Sequence, residues 1–469
     1  MRKSLYILYL TGIALFAACS SEDTAIHEQI LEDEAVILAK ANKNSEVAIR
    51  MGSFSYNSVT PTTRSPLHPI GGVFSTPAGQ YLGVFCLAQK PQASVGSPGP
   101  VDENLIDWTS PSSYLTYLMN PNQPAQVVKL NGSVNVVGSA ATTDALSEVR
   151  FIDPSTLSTT PTEKHYYYPD GDWYNYYFYA YYPRQATNVS VAAQKVTVGF
   201  ALDGSQDVLW TKAMPTTNGG AYVDKGFNAS YFSNLQIDGV NAITDFPDFG
   251  LHHNLALLRF YVRCKDALYA SQNYVESDLQ VTGLKLLGIP MNWTLTIADR
   301  NNEVNEGVMT PTNLILTNEL GVWHENADGT DADAFADGAI NVPYSANGSE
   351  KVYVGYVMIP TTTMMDEAIA AGLTITGRGE ESDAEGITRD TRRNPFVKLT
   401  VIEKGTEYEL NPQKVLLPNG IHATKGEISD YGEFEAGKVY NITLSIPVTG
   451  QVPDFGADAQ TDPGIATSN

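Results

Sequence analysis

A chain of 469 residues is too long for one hydrophobic core and fits two folded units once terminal segments are set aside. A formal charge of −23 argues against a nucleic-acid partner, because a phosphate backbone rewards clustered Lys and Arg that this chain lacks. Charged residues make up only 17%, and 38 Gly, 26 Pro and 26 Tyr lean the composition toward strands and turns. The three cysteines, Cys19, Cys86 and Cys264, exclude a disulfide framework and a cysteine zinc site. Cys86 and Cys264 sit in separate apolar runs and read as buried thiols, with a bridge between them as the alternative.

The chain opens with Arg2 and Lys3 followed by a short apolar run, a secretory signal over residues 1–18 that is too short to span a bilayer. Ala17 and Ala18 before Cys19 resemble the lipobox of bacterial lipoproteins, which implies cleavage before Cys19, its acylation and a firm lipid anchor. Glu22 and Asp23 resemble the acidic patch of surface-exported lipoproteins. In "AIHEQILEDEAVILAKANKN" (25–44), Ile26, Ile30 and Ile37 with acids between them predict a short amphipathic helix.

The period then changes to two: Val47, Ile49 and Met51 alternate with Ala48, Arg50 and Gly52, which predicts a strand over 46–56. "SVTPTTRSPLHPIGG" (58–72) follows as an exposed, protease-accessible loop with Arg64 in its middle.

Short apolar runs separated by turn residues fill the rest, from "QYLGVFCLA" through "LALLRFYVRC", "LQVTGLKLLGI" and "KVYVGYVMI" to "FVKLTVI". "TMMDEAIAAG" is one short helical candidate. That spacing predicts an all-β protein of antiparallel sandwiches, and the turn-rich stretch 200–248 places a boundary near residue 248. "KVYNITLSIPV" reads as a half-buried, edge-type last strand, and the polar residues 449–469 read as a loosely ordered tail.

"HYYYPDGDWYNYYFYAYYP" (165–183) holds nine tyrosines. In its second half rings occupy both strand faces, which favours a core strand over a sugar platform; Trp173, Tyr166 and Tyr168, in the turn-like first half, are the better candidates for ligand contact. The seven histidines form no zinc spacing, and His252 and His253 point to opposite strand faces. Neither a nucleophile elbow nor a nucleotide-binding loop occurs, so no enzyme, cofactor or metal is expected. "NADGTDADAFADGA" (326–339) has the composition of a calcium loop, but Asp328, Asp331, Asp333 and Asp337 miss the EF-hand register, which leaves a solvated loop as the simpler reading.

Taken together, Cys19, the early strand, "TTRSP", "FYAYYP", "HHNLALLRFYV", "YVMIPTTT" and "EFEAGKVYNITLSI" resemble, in this order, the fimbrillin family of type V pilins over most of residues 45–448. The resemblance implies two transthyretin-like β-sandwich domains, 65–248 and 249–448, behind a signal peptide and a lipidated propeptide, 19–64. It implies a surface pilus subunit of the outer membrane that is cut by an arginine-specific protease and joined head to tail with other pilin subunits. Carried onto this chain, the cut best matches Arg64 before Ser65, with Arg50 as the alternative, and the exchanged strand is the one bearing Val47, Ile49 and Met51. Residues 449–469 offer little apolar surface for a donor strand, which leaves stalk, minor or tip, and anchor roles open. The alternative reading is a surface-anchored lipoprotein that binds a host or bacterial glycan or protein through Trp173 and the nearby tyrosines.

Overall fold

The computed structural model describes residues 47–48, 54–56, 81–89, 126–131, 148–152, 167–168, 175–183, 188–192, 195–215, 227, 247–299, 302–316, 318–325, 331–382, 388–415, 433–448 and 456–461. Cys19, Ile49, Arg50, Met51, Arg64, Ser65, Tyr166, Trp173 and the helix expected over 25–44 lie outside them.

In chain order the first strands are β1 (Val47–Ala48), β2 (Phe54–Tyr56), β3 (Tyr81–Gln89), β4 (Gln126–Asn131), β5 (Glu148–Ile152), β6 (Tyr167–Tyr168), β7 (Asn175–Tyr182), β8 (Asn188–Ala192) and β9 (Lys195–Ala201). β10 (Leu209–Lys212), β11 (Met214–Pro215), β12 (Pro247–His253), β13 (Leu255–Arg263), β14 (Leu279–Leu287), β15 (Asn292–Asp299) and β16 (Met309–Pro311) follow. Then come β17 (Ile315–Leu316), β18 (Glu319–Gly321), β19 (Trp323–Glu325), β20 (Asp331–Asp333), β21 (Ile340–Asn341), β22 (Val352–Pro360) and β23 (Thr374–Ile375). The last are β24 (Glu380–Ser382), β25 (Thr388–Asp390), β26 (Phe396–Glu403), β27 (Thr406–Glu409), β28 (Gln413–Lys414), β29 (Val439–Ser445) and β30 (Gly456–Thr461). Among the described residues two short helices interrupt them, α1 (Ala267–Ser271) and α2 (Thr362–Ala370), the second capped by Thr361, whose hydroxyl accepts from Met364 N. The protein is all-β.

Two sheets face each other in the later part of the chain. One runs β20-β19-β22-β13-β29-β30 and the other β18-β14-β26-β27, with β21 on β14 and β28 on β26. In β26 buried and half-buried residues alternate strictly, so Val397, Leu399 and Val401 point inward. They meet Leu258, Phe260 and Val262 of β13 and Ile442 and Leu444 of β29 in one apolar cluster. Each such side chain contributes roughly 1.5–3 kcal/mol by leaving water.

The earlier part forms an eight-stranded sheet, β11-β12-β10-β7-β3-β4-β5, with β2 on β12. A four-stranded sheet, β16-β15-β9-β8, lies against it. β7 is buried on both faces, as its rings predict: Tyr181 meets Phe200 of β9 edge-on at 5.9 Å, and Phe178 meets Phe227 at 6.2 Å on the other side. The expected boundary at residue 248 falls inside β12, and the β9–β15 pairing (Leu295↔Val198, Asp299↔Lys195) joins residues on either side of it.

Several expectations change. β29 is an interior strand, parallel to β13 and antiparallel to β30, rather than an edge. Its alternation of apolar and polar residues marks two differently covered faces and carries no information about lateral neighbours. Residues 456–461, read as loose tail, form β30, because edge pairing needs backbone groups and not apolar side chains. Within the strand expected over 46–56, the described residues fall in β1, which pairs with β6, and β2, which pairs with β12. The sheets are mainly antiparallel, with parallel pairs at β2–β12, β13–β29 and β17–β23. Asp331 and Asp333, assigned to a solvated loop, lie in β20, and Tyr356 donates its hydroxyl to Asp331. Among the described residues no three His, Cys, Asp or Glu side chains cluster as metal ligands. Cys86 (β3) and Cys264 are both buried and not joined in a disulfide, and burial pushes the Cys86 thiol well above its ordinary value.

Gly83 faces Tyr181 across β3–β7, and a Cβ there would lie 2.3 Å from the Tyr181 ring. Gly83→Ala is expected to cost about 1–3 kcal/mol, read as a lower urea midpoint by tyrosine fluorescence. Gly379→Ala, where a Cβ meets nothing within 4 Å, should change it by less than about 0.5 kcal/mol.

Candidate functional site

The residues before Arg64 that the structure describes are all engaged with the folded body. In β1 the backbone of Val47 lies opposite Tyr168, and Ala48 lies opposite Tyr167. β2 runs parallel to β12, with Phe54, Ser55 and Tyr56 opposite Phe249, Gly250 and Leu251. Residues 209–215 line one side of β12 in a single register, Trp210 opposite His252 and Met214 opposite Asp248, which leaves the other side of β12 to β2. Among the described residues β2 is therefore an outer strand, and of the two segments it is the one joined to the eight-stranded sheet. Of the candidate ligand-contact residues, only Tyr168 is described, by its backbone in β6.

One residue beyond β12 the chain changes sheet. β12 ends at His253 and β13 begins at Leu255, so Asn254 alone separates a strand of the first sheet from a strand of the six-stranded one. Asp207, fully buried, secures that step: its Oδ1 accepts from Leu255 N (3.1 Å) and Val208 N (2.8 Å), and its Oδ2 lies 2.6 Å from His253 Nδ1. Asn254 N donates to Val208 O (2.9 Å), and Gly437 N donates to Leu255 O (2.8 Å). Burial raises the Asp207 carboxyl above its ordinary value, while His253 and the two backbone donors pull it back. His252 points the other way, its ring 6.5 Å from that of Trp210, as adjacency on a strand requires.

A second polar cluster joins the eight-stranded sheet to the 303–306 turn after β15. Lys212 Nζ of β10 lies 3.3 Å from Glu306 Oε2 and 3.7 Å from Glu303 Oε2. Tyr179 Oη donates to Glu306 Oε1 at 3.3 Å, and Trp210 Nε1 donates to Ile297 O at 3.0 Å. Sequence reasoning missed Asp207, Lys212 and Glu306. The signal available was weak, a lone acid or lysine beside an apolar strand in "DGSQDVLWTK", and partners 46 to 94 positions away are invisible to local pattern.

No family model matches the chain, and no curated protein matches it. Solved structures align along most of its length at low similarity. A candidate cell adhesion protein from Bacteroides uniformis has 13% identity and a TM-score of 0.35, over 89% of this chain and 98% of that one. Another from Bacteroides ovatus has 11% identity and a TM-score of 0.36, over 91% and 100%. The tip fimbrial protein Mfa3 from Porphyromonas gingivalis has 7% identity and a TM-score of 0.28, over 88% and 97%. Identities and TM-scores this low assign neither a family nor an activity.

His253→Ala would leave the Asp207 carboxyl buried with its backbone donors, at a cost of about 3–5 kcal/mol at neutral pH. A carboxyl whose value is raised on folding favours the folded state at low pH and loses that contribution as pH rises through the raised value. The deficit in urea midpoint should thus be smallest near the ordinary carboxylate range, about pH 4, and widen toward pH 7. The same deficit at both values would reduce His253 to packing alone.

Proposed function

We propose that this protein is a structural subunit of a surface adhesion filament, exported as a lipoprotein acylated at Cys19 and activated by an arginine-specific cut between Arg64 and Ser65. In this reading the body comprises two transthyretin-like sandwich domains, 65–248 and 249–448, and the product is displayed on the outer membrane or in a pilus. Its partners are further pilin subunits, and the assembled fibre contacts a host or bacterial surface.

The observation that carries the reading is the position of β2. A strand that precedes the proposed cut in sequence covers the open side of β12 by parallel pairing at 249–251. Removing residues 1–64 strips that cover and uncovers backbone N–H and C=O groups on a sheet edge, which is a template for a strand from another molecule. Strand addition from a different part of a second copy is head-to-tail and propagates rather than closing. The removal also takes six basic and seven acidic residues, so the remainder stays strongly acidic and soluble.

Residues 439–445 are held between β13 and β30, with Tyr440, Ile442 and Leu444 in the core, so donating them would dismantle the six-stranded sheet. β30 is the outer strand and can leave at the cost of its pairing with β29. A minor or tip position, which needs only to receive a strand, is at least as compatible with the chain as a stalk position.

Digestion of the purified precursor with an arginine-specific protease tests this. A new N-terminus at Ser65 accompanied by ladders on unboiled denaturing gels is expected, and Arg64→Ala should abolish both. An intact, monomeric product that binds polysaccharide would replace this reading with the glycan-binding one, and a cut at Arg50 would move the site.

A further inference from the structure

We infer that Lys212 and Glu306 are the two halves of an intramolecular amide crosslink, which bonds β10 covalently to the turn that follows β15. The inference stands on geometry at the junction cluster and holds whether or not the chain polymerises.

The nucleophile and the carboxyl already touch. Lys212 Nζ is 3.3 Å from Glu306 Oε2, and the two side chains are 21% and 4% exposed, so the pair sits largely out of water. The ring faces of Tyr177 and Tyr179 lie 5.5 and 5.7 Å from Nζ and hold the lysine in place. An ammonium nitrogen has no lone pair to attack with, so a base is needed. Glu303 Oε2, 3.7 Å from the same nitrogen and 45% exposed, is the group placed to take the proton and pass it to solvent.

The far oxygen of Glu306 is equally well served. Oε1 accepts from Asp299 N (3.1 Å) and from Tyr179 Oη (3.3 Å), two donors aimed at the atom that gains negative charge when the carboxyl carbon is attacked. Glu306 is also fixed at its backbone: its N donates to Glu303 O (3.0 Å), and Gly307 N donates to Thr296 O (2.8 Å). Gly307 has φ +81°, and a Cβ there would meet the Trp210 ring at 2.6 Å, so the turn is pressed against β10. Burial pushes the Glu306 carboxyl above its ordinary value, and the Lys212 charge and Asp299 N–H reverse this only in part, which favours the protonated, electrophilic acid.

The step balances without any further reactant. The Lys212 ammonium gives a proton to Glu303, and the amine attacks Cδ of the Glu306 acid. The charge on Oε1 collapses, Oε2 departs with its hydrogen and one from the nitrogen as water, and an Nζ–Cδ amide remains.

The neighbouring pair shows why this one is singled out. Lys195 Nζ is 3.4 Å from Asp299 Oδ2, but that lysine is 40% exposed. Burial alone would raise the Asp299 carboxyl, yet hydrogen bonds from Asn305 and Asn302 and the Lys195 charge hold it below its ordinary value. It stays an ionised carboxylate in an ordinary ion pair.

Peptide mapping of the full chain by mass spectrometry tests the inference. The expected result is a branched tryptic species joining the Lys212 and Glu306 peptides, lighter than their sum by one water and uncut at Lys212, in most of the protein after incubation at neutral pH. Lys212→Arg, which keeps the ion pair, and Glu306→Ala should both give linear peptides of full mass. Linear, full-mass peptides in the unsubstituted chain would overturn it, leaving a buried ion pair only. A loss of water that persists in Lys212→Arg would overturn it too.

Discussion

Between His253 and Leu255 the backbone leaves one sheet and enters another, and a single buried carboxylate makes that step possible. A strand that changes sheets must present N–H groups at the bend that belong to neither ladder. Asp207 accepts from Leu255 and from its own neighbour Val208, and His253 meets its second oxygen. With these groups satisfied, β12 and β13 stay nearly continuous. The strand that carries β2 on its side therefore reports directly to the strand that anchors the later core. The pairing with β2 along the outer side of β12 ends at Leu251, three residues before Asn254.

The two halves are also bound by strand exchange within the chain. β15 and β16 follow the crossover in sequence, yet they sit beside β9 and β8, which precede it. The sheet so formed supplies the cover that β7 needs, with Phe200 against Tyr181 and the Glu306 turn against Tyr179 and Lys212. The rings of β7 are thus explained by packing from both sides. Its phenol hydroxyls are not idle, since Tyr179 reaches the carboxyl at the seam.

Much of this was legible in the residues. Long apolar runs such as "LALLRFYVR" and "VYVGYVMIP" become β13 and β22, because burial against a facing sheet is encoded locally in side-chain mass. α2 was legible as the short helical candidate "TMMDEAIAAG". What escaped was lateral order. "GADAQT" carries no apolar signal and is held as β30 by backbone pairing, while "VYNITLS" reads like an edge although it has neighbours on both sides. The parallel β13–β29 pair brings together residues more than 180 positions apart, and no local period encodes that. At the candidate site the early strand was legible as extended chain, but its division between β6 and β12 was not, since the choice of partner is a tertiary matter. Asp207, Lys212 and Glu306 were hidden for the same reason.

The pairing of β9 with β15 has a consequence for how the molecule comes into being. A polypeptide appears from its N-terminus onward, and β7 with Tyr179 is made about a hundred residues before β15 and the Glu306 turn that complete its cover beside Phe200. Throughout that interval a broad aromatic surface is adhesive toward anything nearby, including other nascent copies. Packing of β7 against its cover is therefore complete only once β15 and β16 have emerged.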